Sequence, residues 1–132
     1  MKIKMIEEAK QAYDKAYAPY SKFKVGAAVK TKDGSIYHGC NIENASYSAT
    51  CCAERVAIFQ AIANGENQFT EIAVVANSEK PVPPCGICRQ VMQEFFSNDV
   101  KIYLSNLSGN IEETTIAKLL PYPFSEKDLF KG

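Results

Sequence analysis

The chain has 132 residues, 46% hydrophobic and 23% charged, and its fifteen basic residues balance its fifteen acidic ones. This length fits a single domain over residues 1–132 with one core, in a composition ordinary for a soluble globular protein. Zero net charge without a basic stripe argues against nucleic acid or an anionic membrane as partner. The sequence shows neither a signal-peptide pattern nor a run of membrane-spanning length, so we expect a cytoplasmic protein.

Hydrophobic periodicity predicts the elements in chain order. They are an amphipathic helix at 3–17, strands at 24–31 and 35–42 joined by an Asp-Gly turn, a helix at 51–64, a strand at 71–77, a helix at 85–96, strands at 100–105 and 111–115, then a helical turn and an irregular tail. This order predicts an α/β fold in which one sheet has helices on both faces. The helix at 51–64 is apolar on almost every side, which predicts that it is buried all round.

Two cysteines open the predicted helix at 85–96. Cys85 and Cys88 are three residues apart, so both thiols lie on one helical face and can converge on one ion. The helix N-terminus favours their thiolate form. By itself this pair fits zinc or a redox disulfide equally well. Five cysteines in a reducing compartment indicate metal binding or catalysis more than structural disulfides.

The helix at 51–64 also opens with thiols, and two charged residues follow them. If the two helix ends face each other, Cys52 becomes the third thiol of a zinc site with an open position for water. Glu54 would then reach that water, although an exposed first-turn glutamate is the alternative. Arg55 would donate hydrogen bonds to the ligand sulfurs and offset their charge, and a surface arginine paired with an acid is equally consistent.

The motifs together resemble the zinc-dependent cytidine deaminases of the small homotetrameric type. The resemblance rests on Cys-Ala-Glu at 52–54, Pro-Cys-Gly-Ile-Cys-Arg-Gln at 84–90, and the segments 17–29, 39–48 and 119–124. It implies a three-layer α/β/α sandwich on a five-stranded mixed sheet, with one zinc ion per subunit. The implied reaction is hydrolysis of cytidine or 2′-deoxycytidine to uridine or 2′-deoxyuridine and ammonia, as in pyrimidine salvage.

The resemblance also assigns roles to individual residues. It implies that Cys52, Cys85 and Cys88 bind zinc, and that hydroxide on the metal attacks C4 of the base while Glu54 shuttles protons. The implied substrate contacts are Asn41 and Glu43 with the ribose hydroxyls, Phe23 against the nucleoside, main-chain groups near Ala53 and Cys85 with the base, and Phe124 in a neighbouring subunit's site of a homotetramer. Strand alternation independently places Asn41 and Glu43 on one face, whereas Phe23 and Phe124 would otherwise be packing residues.

Other interpretations stay open at this point. The chain could be a related deaminase of another cytosine nucleoside, of the blasticidin kind, or a thiol oxidoreductase. It could also be a non-catalytic Cys₄ zinc module with Cys40 or Cys51 as fourth ligand. His38, the sole histidine, is expected to be exposed, although a metal site using His38 or Cys40 is an alternative. Cys51 would point roughly 100° away from Cys52 around the helix and pack as a small apolar residue.

Overall fold

The structure is a computed structural model that describes residues 2–131. Its elements are α1 (Lys2–Tyr13), β1 (Val25–Thr31), β2 (Ile36–Cys40), a 3₁₀ turn (Tyr47–Ala49), α2 (Ala53–Ala63), β3 (Phe69–Ala76), α3 (Gly86–Phe95), β4 (Lys101–Asn106), β5 (Ile111–Thr114), α4 (Ile116–Leu119) and α5 (Glu126–Lys131). The strands form one sheet in the order β2-β1-β3-β4-β5. Only the β3–β4 pair within that sheet is parallel, so the sheet is mixed, as predicted.

Helices cover both faces of this sheet and create two cores. The α1 side buries Met5, Ile6 and Ala9 of the helix against Ala28, Ala73, Val75 and Tyr103 of the strands. The α2 and α3 side buries Ala57, Ile58 and Met92 against Ala27, Val29, Ile72 and Leu104. Successive strand residues point to opposite faces, so neighbours such as Ala27 and Ala28 enter different cores. This arrangement confirms the predicted three-layer sandwich.

Two glycines allow the helices to approach the sheet backbone closely. A Cβ at Gly39 in β2 would lie closer than 3.0 Å to backbone atoms of Ala53 and Ala57 in α2. A Cβ at Gly26 in β1 would clash in the same way with backbone atoms of α1 on the opposite face. The absence of a side chain at Gly39 therefore fixes how near the first turn of α2 lies to the sheet.

Several boundaries differ from the sequence prediction. The first helix ends at Tyr13 instead of residue 17, because Tyr17 pairs with the segment after β2: its amide donates to the carbonyl of Asn41 at 2.9 Å. The tail is not irregular, since α5 forms there. The Ser125 amide donates to the carboxylate of Asp128 at 2.8 Å, which is one half of a capping box.

Helix α2 is not buried all round, contrary to the sequence prediction. Ala57, Ile58 and Ala61 are buried, but Phe59 is 45% exposed and Gln60 is exposed. The reason is that α2 forms an outer layer of the sandwich, so this chain covers only its sheet-facing side. Among residues 2–131, no helix is long and apolar enough to cross a membrane.

Candidate functional site

The N-termini of α2 and α3 meet and bring three cysteines together. Cys52 and Cys85 are the N-cap residues of their helices, both with extended backbone, and Cys88 lies within the first turn of α3. The Sγ atoms of Cys52 and Cys85 are 3.7 Å apart, and all three Sγ atoms lie within 4.8 Å of one another. The predicted convergence is present, except that Cys52 and Cys85 cap their helices instead of lying in the first turns.

This donor set fits a zinc ion. Tetrahedral zinc with Zn–S bonds of about 2.3 Å requires sulfurs about 3.8 Å apart, and the Cys52–Cys85 separation of 3.7 Å agrees with that. Three sulfurs leave the fourth tetrahedral position for water or substrate. No other histidine, cysteine or carboxylate of residues 2–131 joins this group. The expectation of one zinc ion per subunit is therefore consistent with the geometry.

The surroundings of the cluster favour the thiolate form of Cys52. A hydrogen bond from the Cys88 thiol, reinforced by Arg55, lowers the pKa of Cys52, while the same interaction and burial raise the pKa of Cys88. The Nη2 of Arg55 donates to the Sγ of Cys52 at 3.4 Å. Arg55 therefore contacts the cluster and is not a surface residue paired with an acid.

Glu54 is buried beside these sulfurs. Its side chain is only 5% exposed, although it lies in the first turn of α2. Burial, with a smaller contribution from the neighbouring Cys52, raises the pKa of Glu54 to about 7. A carboxyl group with this pKa can both accept and donate a proton near neutral pH. The alternative of an exposed, dipole-stabilising glutamate is wrong.

A cavity of about 320 Å³ opens next to the cluster and gathers most of the predicted site. The predicted residues that line it are Phe23, Asn41, Glu43, Cys52, Ala53, Glu54 and Cys85. Phe124 does not line this cavity, and its ring is 57% exposed. One cavity is therefore lined both by the candidates for sugar binding and by two of the thiols with Glu54.

Asn41 and Glu43 also organise the wall on which they lie. The Oδ1 of Asn41 accepts from the Val25 amide at 2.9 Å, and its Nδ2 donates to the Phe23 carbonyl at 2.8 Å. Oε1 of Glu43 accepts the amides of Tyr20 and Ser21, both at 3.0 Å, and Oε2 accepts the Ser21 hydroxyl. These bonds from Ser21 lower the pKa of Glu43, so it stays ionised. Both side chains keep unused hydrogen-bonding capacity for a ligand.

Sequence analysis missed several residues of this cavity. Ser21, Val25, Thr50, Val74, Val82 and Pro83 also line it. Val82 and Pro83 lie just before the predicted helix at 85–96, and neither was predicted as a site residue. Because Pro84 directly precedes Cys85, the sequence already indicated that this segment lies close to the metal cluster.

The remaining candidate ligands lie outside the cluster. His38 is half-buried instead of exposed, because its Nε2 lies 2.6 Å from the Oε1 of Glu8 on α1. Cys40 and Cys51 are half-buried and form no disulfide, and burial raises the pKa of each thiol. Cys51 instead pairs through its backbone with Ile42. Metal sites built on His38 or Cys40 are therefore not supported by the geometry.

Comparisons with known proteins agree with this site. A family model described as the cytidine and deoxycytidylate deaminase zinc-binding region matches residues 1–104. A cytidine deaminase of Sporosarcina psychrophila is 59% identical over 96% of this chain and 93% of its own length, and one of Halalkalibacterium halodurans is 54% identical over 95% of each chain. The crystal structure of cytidine deaminase from Burkholderia pseudomallei superposes with a TM-score of 0.91 at 49% identity, covering 94% of this chain and 99% of that one. On this fold, site and similarity, the chain belongs to the zinc-dependent cytidine deaminase family.

Proposed function

We propose that the protein hydrolyses cytidine and 2′-deoxycytidine to uridine and 2′-deoxyuridine with release of ammonia, as an enzyme of pyrimidine salvage. The observation that carries this proposal is the buried Glu54 beside three sulfurs at the wall of one cavity. Family membership supports the same reaction. The oligomer and the residue roles below rest on the proposal.

In this reaction the three cysteines would bind the metal and Glu54 would transfer protons. Cys52, Cys85 and Cys88 would hold zinc, which when bound lowers the pKa of a water and polarises it for attack. Glu54 accepts the proton that the attacking water loses and delivers it to N3 of the base. The water oxygen bonds to C4, and Glu54 transfers the remaining proton of that oxygen to N4. The C4–N4 bond then breaks, ammonia leaves, and the oxygen stays on C4 as the carbonyl of uridine. A pKa of about 7 suits a group that must take and give protons in one cycle.

Other residues that line the cavity would bind the sugar. Asn41 and Glu43 would bond the ribose hydroxyls, Phe23 would pack against the nucleoside, and the backbone near Ala53 would contact the base. The ionised carboxylate of Glu43 disfavours a nearby phosphate, because like charges repel. We therefore propose nucleosides as substrates in preference to nucleotides.

Two interpretations from other classes of protein have less support. A structural Cys₄ module needs a fourth thiol, and among residues 2–131 only three cysteines converge. A thiol oxidoreductase needs no carboxyl group beside its cysteines, so that interpretation does not explain the buried Glu54. Neither alternative accounts for a ligand-sized cavity beside the sulfurs.

We also propose a homotetramer with shared active sites in a reducing compartment such as the cytoplasm. Phe124 is 57% exposed and lies outside its own chain's cavity, which suits a side chain that serves a neighbour. The exposed Phe59 leaves an apolar face on α2 for such a contact. Five unpaired cysteines suit a reducing compartment.

The decisive experiment follows the ultraviolet absorbance of cytidine with zinc-loaded protein and its Glu54→Gln variant. We expect conversion to uridine by the wild type. Glu54→Gln should lose on the order of 100- to 10,000-fold in kcat while keeping its zinc, because it cannot shuttle protons. The exposed Glu94→Gln serves as a matched control and should behave as wild type. Normal turnover by zinc-loaded Glu54→Gln would refute the mechanism.

Shared sites can be tested by mixing two impaired variants. Glu54→Gln and Phe124→Ala subunits, unfolded and refolded together, should regain activity above the sum of the two separate preparations, because some sites then combine an intact Glu54 with an intact Phe124. Light scattering on the same samples gives the number of subunits. A monomer, or strict additivity of the activities, would refute the shared site.

A further inference from the structure

Arg89 has no role in the chemistry proposed above, although it belongs to the segment that supplies two of the thiols. It is half-buried on α3, directly after Cys88. Its Nε donates to the Pro84 carbonyl at 2.8 Å, and its Nη1 donates to the Leu119 carbonyl at 2.7 Å. No carboxylate of residues 2–131 forms an ion pair with it. The guanidinium is thus committed to two backbone carbonyls in separate segments.

The two carbonyls that Arg89 binds, those of Pro84 and Leu119, lie next to the metal cluster and at the end of α4. Pro84 directly precedes Cys85, and the Cys85 carbonyl accepts the backbone amide of Arg89 at 3.0 Å. The Arg89 side chain therefore bonds the peptide group before Cys85, and its backbone amide bonds the peptide group after Cys85. Leu119 is the last residue of α4, where helix carbonyls lack partners within the helix and favour a cation. Two charge-assisted hydrogen bonds thus join the start of α3 to the end of α4.

The neighbouring Gln90 extends this connection along the chain. Its Nε2 donates to the Phe124 carbonyl at 2.9 Å, so α3 holds the chain at both ends of the 119–124 segment. Between these points Tyr122 has a φ of 53°, in the left-handed region that non-glycine residues seldom adopt. The rings of Tyr122 and Phe124 are largely exposed. Their positions therefore depend on backbone hydrogen bonds from α3 more than on packing within the chain.

We infer that Arg89 is a positioning residue that couples the Cys85 side of the metal cluster to the segment 119–124. The inference rests on the proposed metal-binding role of Cys85. Lysine cannot take over this role, because an ammonium group lacks the planar fork with which a guanidinium reaches two acceptors at once. The coupling has a specific consequence: metal removal should loosen the segment 119–124, although none of its residues belongs to the cluster.

The test compares the wild type with Arg89→Lys, Arg89→Ala and the exposed control Glu94→Gln on the same helix. The first readout is the rate at which zinc passes to a colorimetric chelator without substrate. The second is hydrogen–deuterium exchange of residues 116–124 with and without zinc. We expect Arg89→Lys to release zinc on the order of 10- to 100-fold faster. Zinc should slow exchange of 116–124 in the wild type and in Glu94→Gln, but not in the Arg89 variants.

Gln90→Ala separates the two halves of the connection. It leaves both Arg89 bonds intact, so it should speed exchange near residue 124 without changing zinc release. Circular dichroism checks the fold of each variant, and Arg89→Lys provides the comparison if Arg89→Ala does not fold.

Three results would overturn the inference. The first is wild-type zinc release in both Arg89 variants. The second is an absence of any zinc effect on exchange of 116–124 in the wild type. The third is an equal rise in exchange at the remote hairpin turn 31–35 in Arg89→Lys, which would indicate general loss of stability. A wild-type protein that binds no zinc would instead refute the proposed function itself.

Discussion

Replacing Gly39 with alanine tests whether the contact between β2 and α2 sets the geometry of the metal cluster. The added Cβ would lie closer than 3.0 Å to three backbone atoms of Ala53 and Ala57. Backbone atoms cannot yield by a change of rotamer, so α2 has to retreat. Ordinary van der Waals contact begins at 3.4 Å, which corresponds to a retreat of about 1 Å. Such a shift would carry Cys52 and Glu54 with the helix.

Gly39→Ala should change both the free energy of unfolding and the catalytic rate. Overpacking of this kind costs about 1–3 kcal/mol in the free energy of unfolding. A displacement of about 1 Å at a catalytic group lowers the rate by up to roughly 100-fold. We therefore expect Gly39→Ala to combine a lower melting temperature with a large fall in kcat/KM for cytidine and faster zinc release to a chelator.

Gly26→Ala is the matched control. Its Cβ would meet backbone atoms of Ala9 and Tyr13 in α1, on the face of the sheet opposite the cluster. It should therefore cost a similar free energy of unfolding but leave zinc release near the wild-type rate. Differential scanning fluorimetry, chelator kinetics and the cytidine absorbance assay, all at a temperature where both variants are folded, make the comparison. If Gly39→Ala keeps wild-type zinc release and kcat/KM, or if Gly26→Ala impairs both equally, the reasoning is refuted.

Three further predictions concern single side chains. Ser21→Ala should raise the KM for cytidine about 3- to 10-fold with little change in kcat, because the Ser21 hydroxyl donates to Glu43 and accepts the Phe23 amide. Steady-state kinetics measure this, with Ser21→Thr as the conservative variant. An unchanged KM in Ser21→Ala would contradict the prediction. Cys51→Ser should keep the zinc content of the wild type and Cys52→Ser should not, as read by metal analysis, since only Cys52 belongs to the cluster; metal loss in Cys51→Ser would make Cys51 a ligand. The Asp33 carboxylate accepts from the Thr31 hydroxyl at 2.5 Å and the Ser35 amide at 3.1 Å, which lower its pKa from 3.8 to about 2. The contribution of the Asp33 carboxylate to stability is therefore present above pH 3.8 and lost as the pH falls toward 2. Asp33→Asn should reduce the fall in melting temperature between pH 3.8 and 2. An unchanged fall over that pH range would contradict the prediction.

Local patterns in the sequence were sufficient for most of the fold. Alternating and helical spacing of apolar residues predicted every strand and the three longer helices, because such periodicity directly reflects which face of an element is buried. Predicted boundaries were wrong where a longer-range bond intervened, as at Tyr17, which pairs with the chain after β2. The capping box at Ser125 and Asp128 was a local signal for α5 that sequence analysis overlooked.

Spacing alone also determined part of the site. Because Cys85 caps α3 and Cys88 lies in its first turn, their three-residue separation brings both thiols to the start of that helix once it forms. The convergence of Cys52 on them required the further assumption that two helix N-termini face each other, and the structure bears this out at 3.7 Å between Sγ atoms.

Tertiary structure alone decided the environment of these groups. The burial of Glu54, the enclosure of the cavity by Val82 and Pro83, and the contact of Arg89 with the Leu119 carbonyl join residues about 30 positions apart. Such contacts depend on how closely the helices approach the sheet, and for α2 the missing side chain of Gly39 permits the close approach. Periodicity identifies the face of an element that is buried, but not the partner against which it packs. The pKa of a carboxyl group follows from that partner and from the exclusion of water, so the proton-transfer properties of Glu54 emerge only in the folded chain.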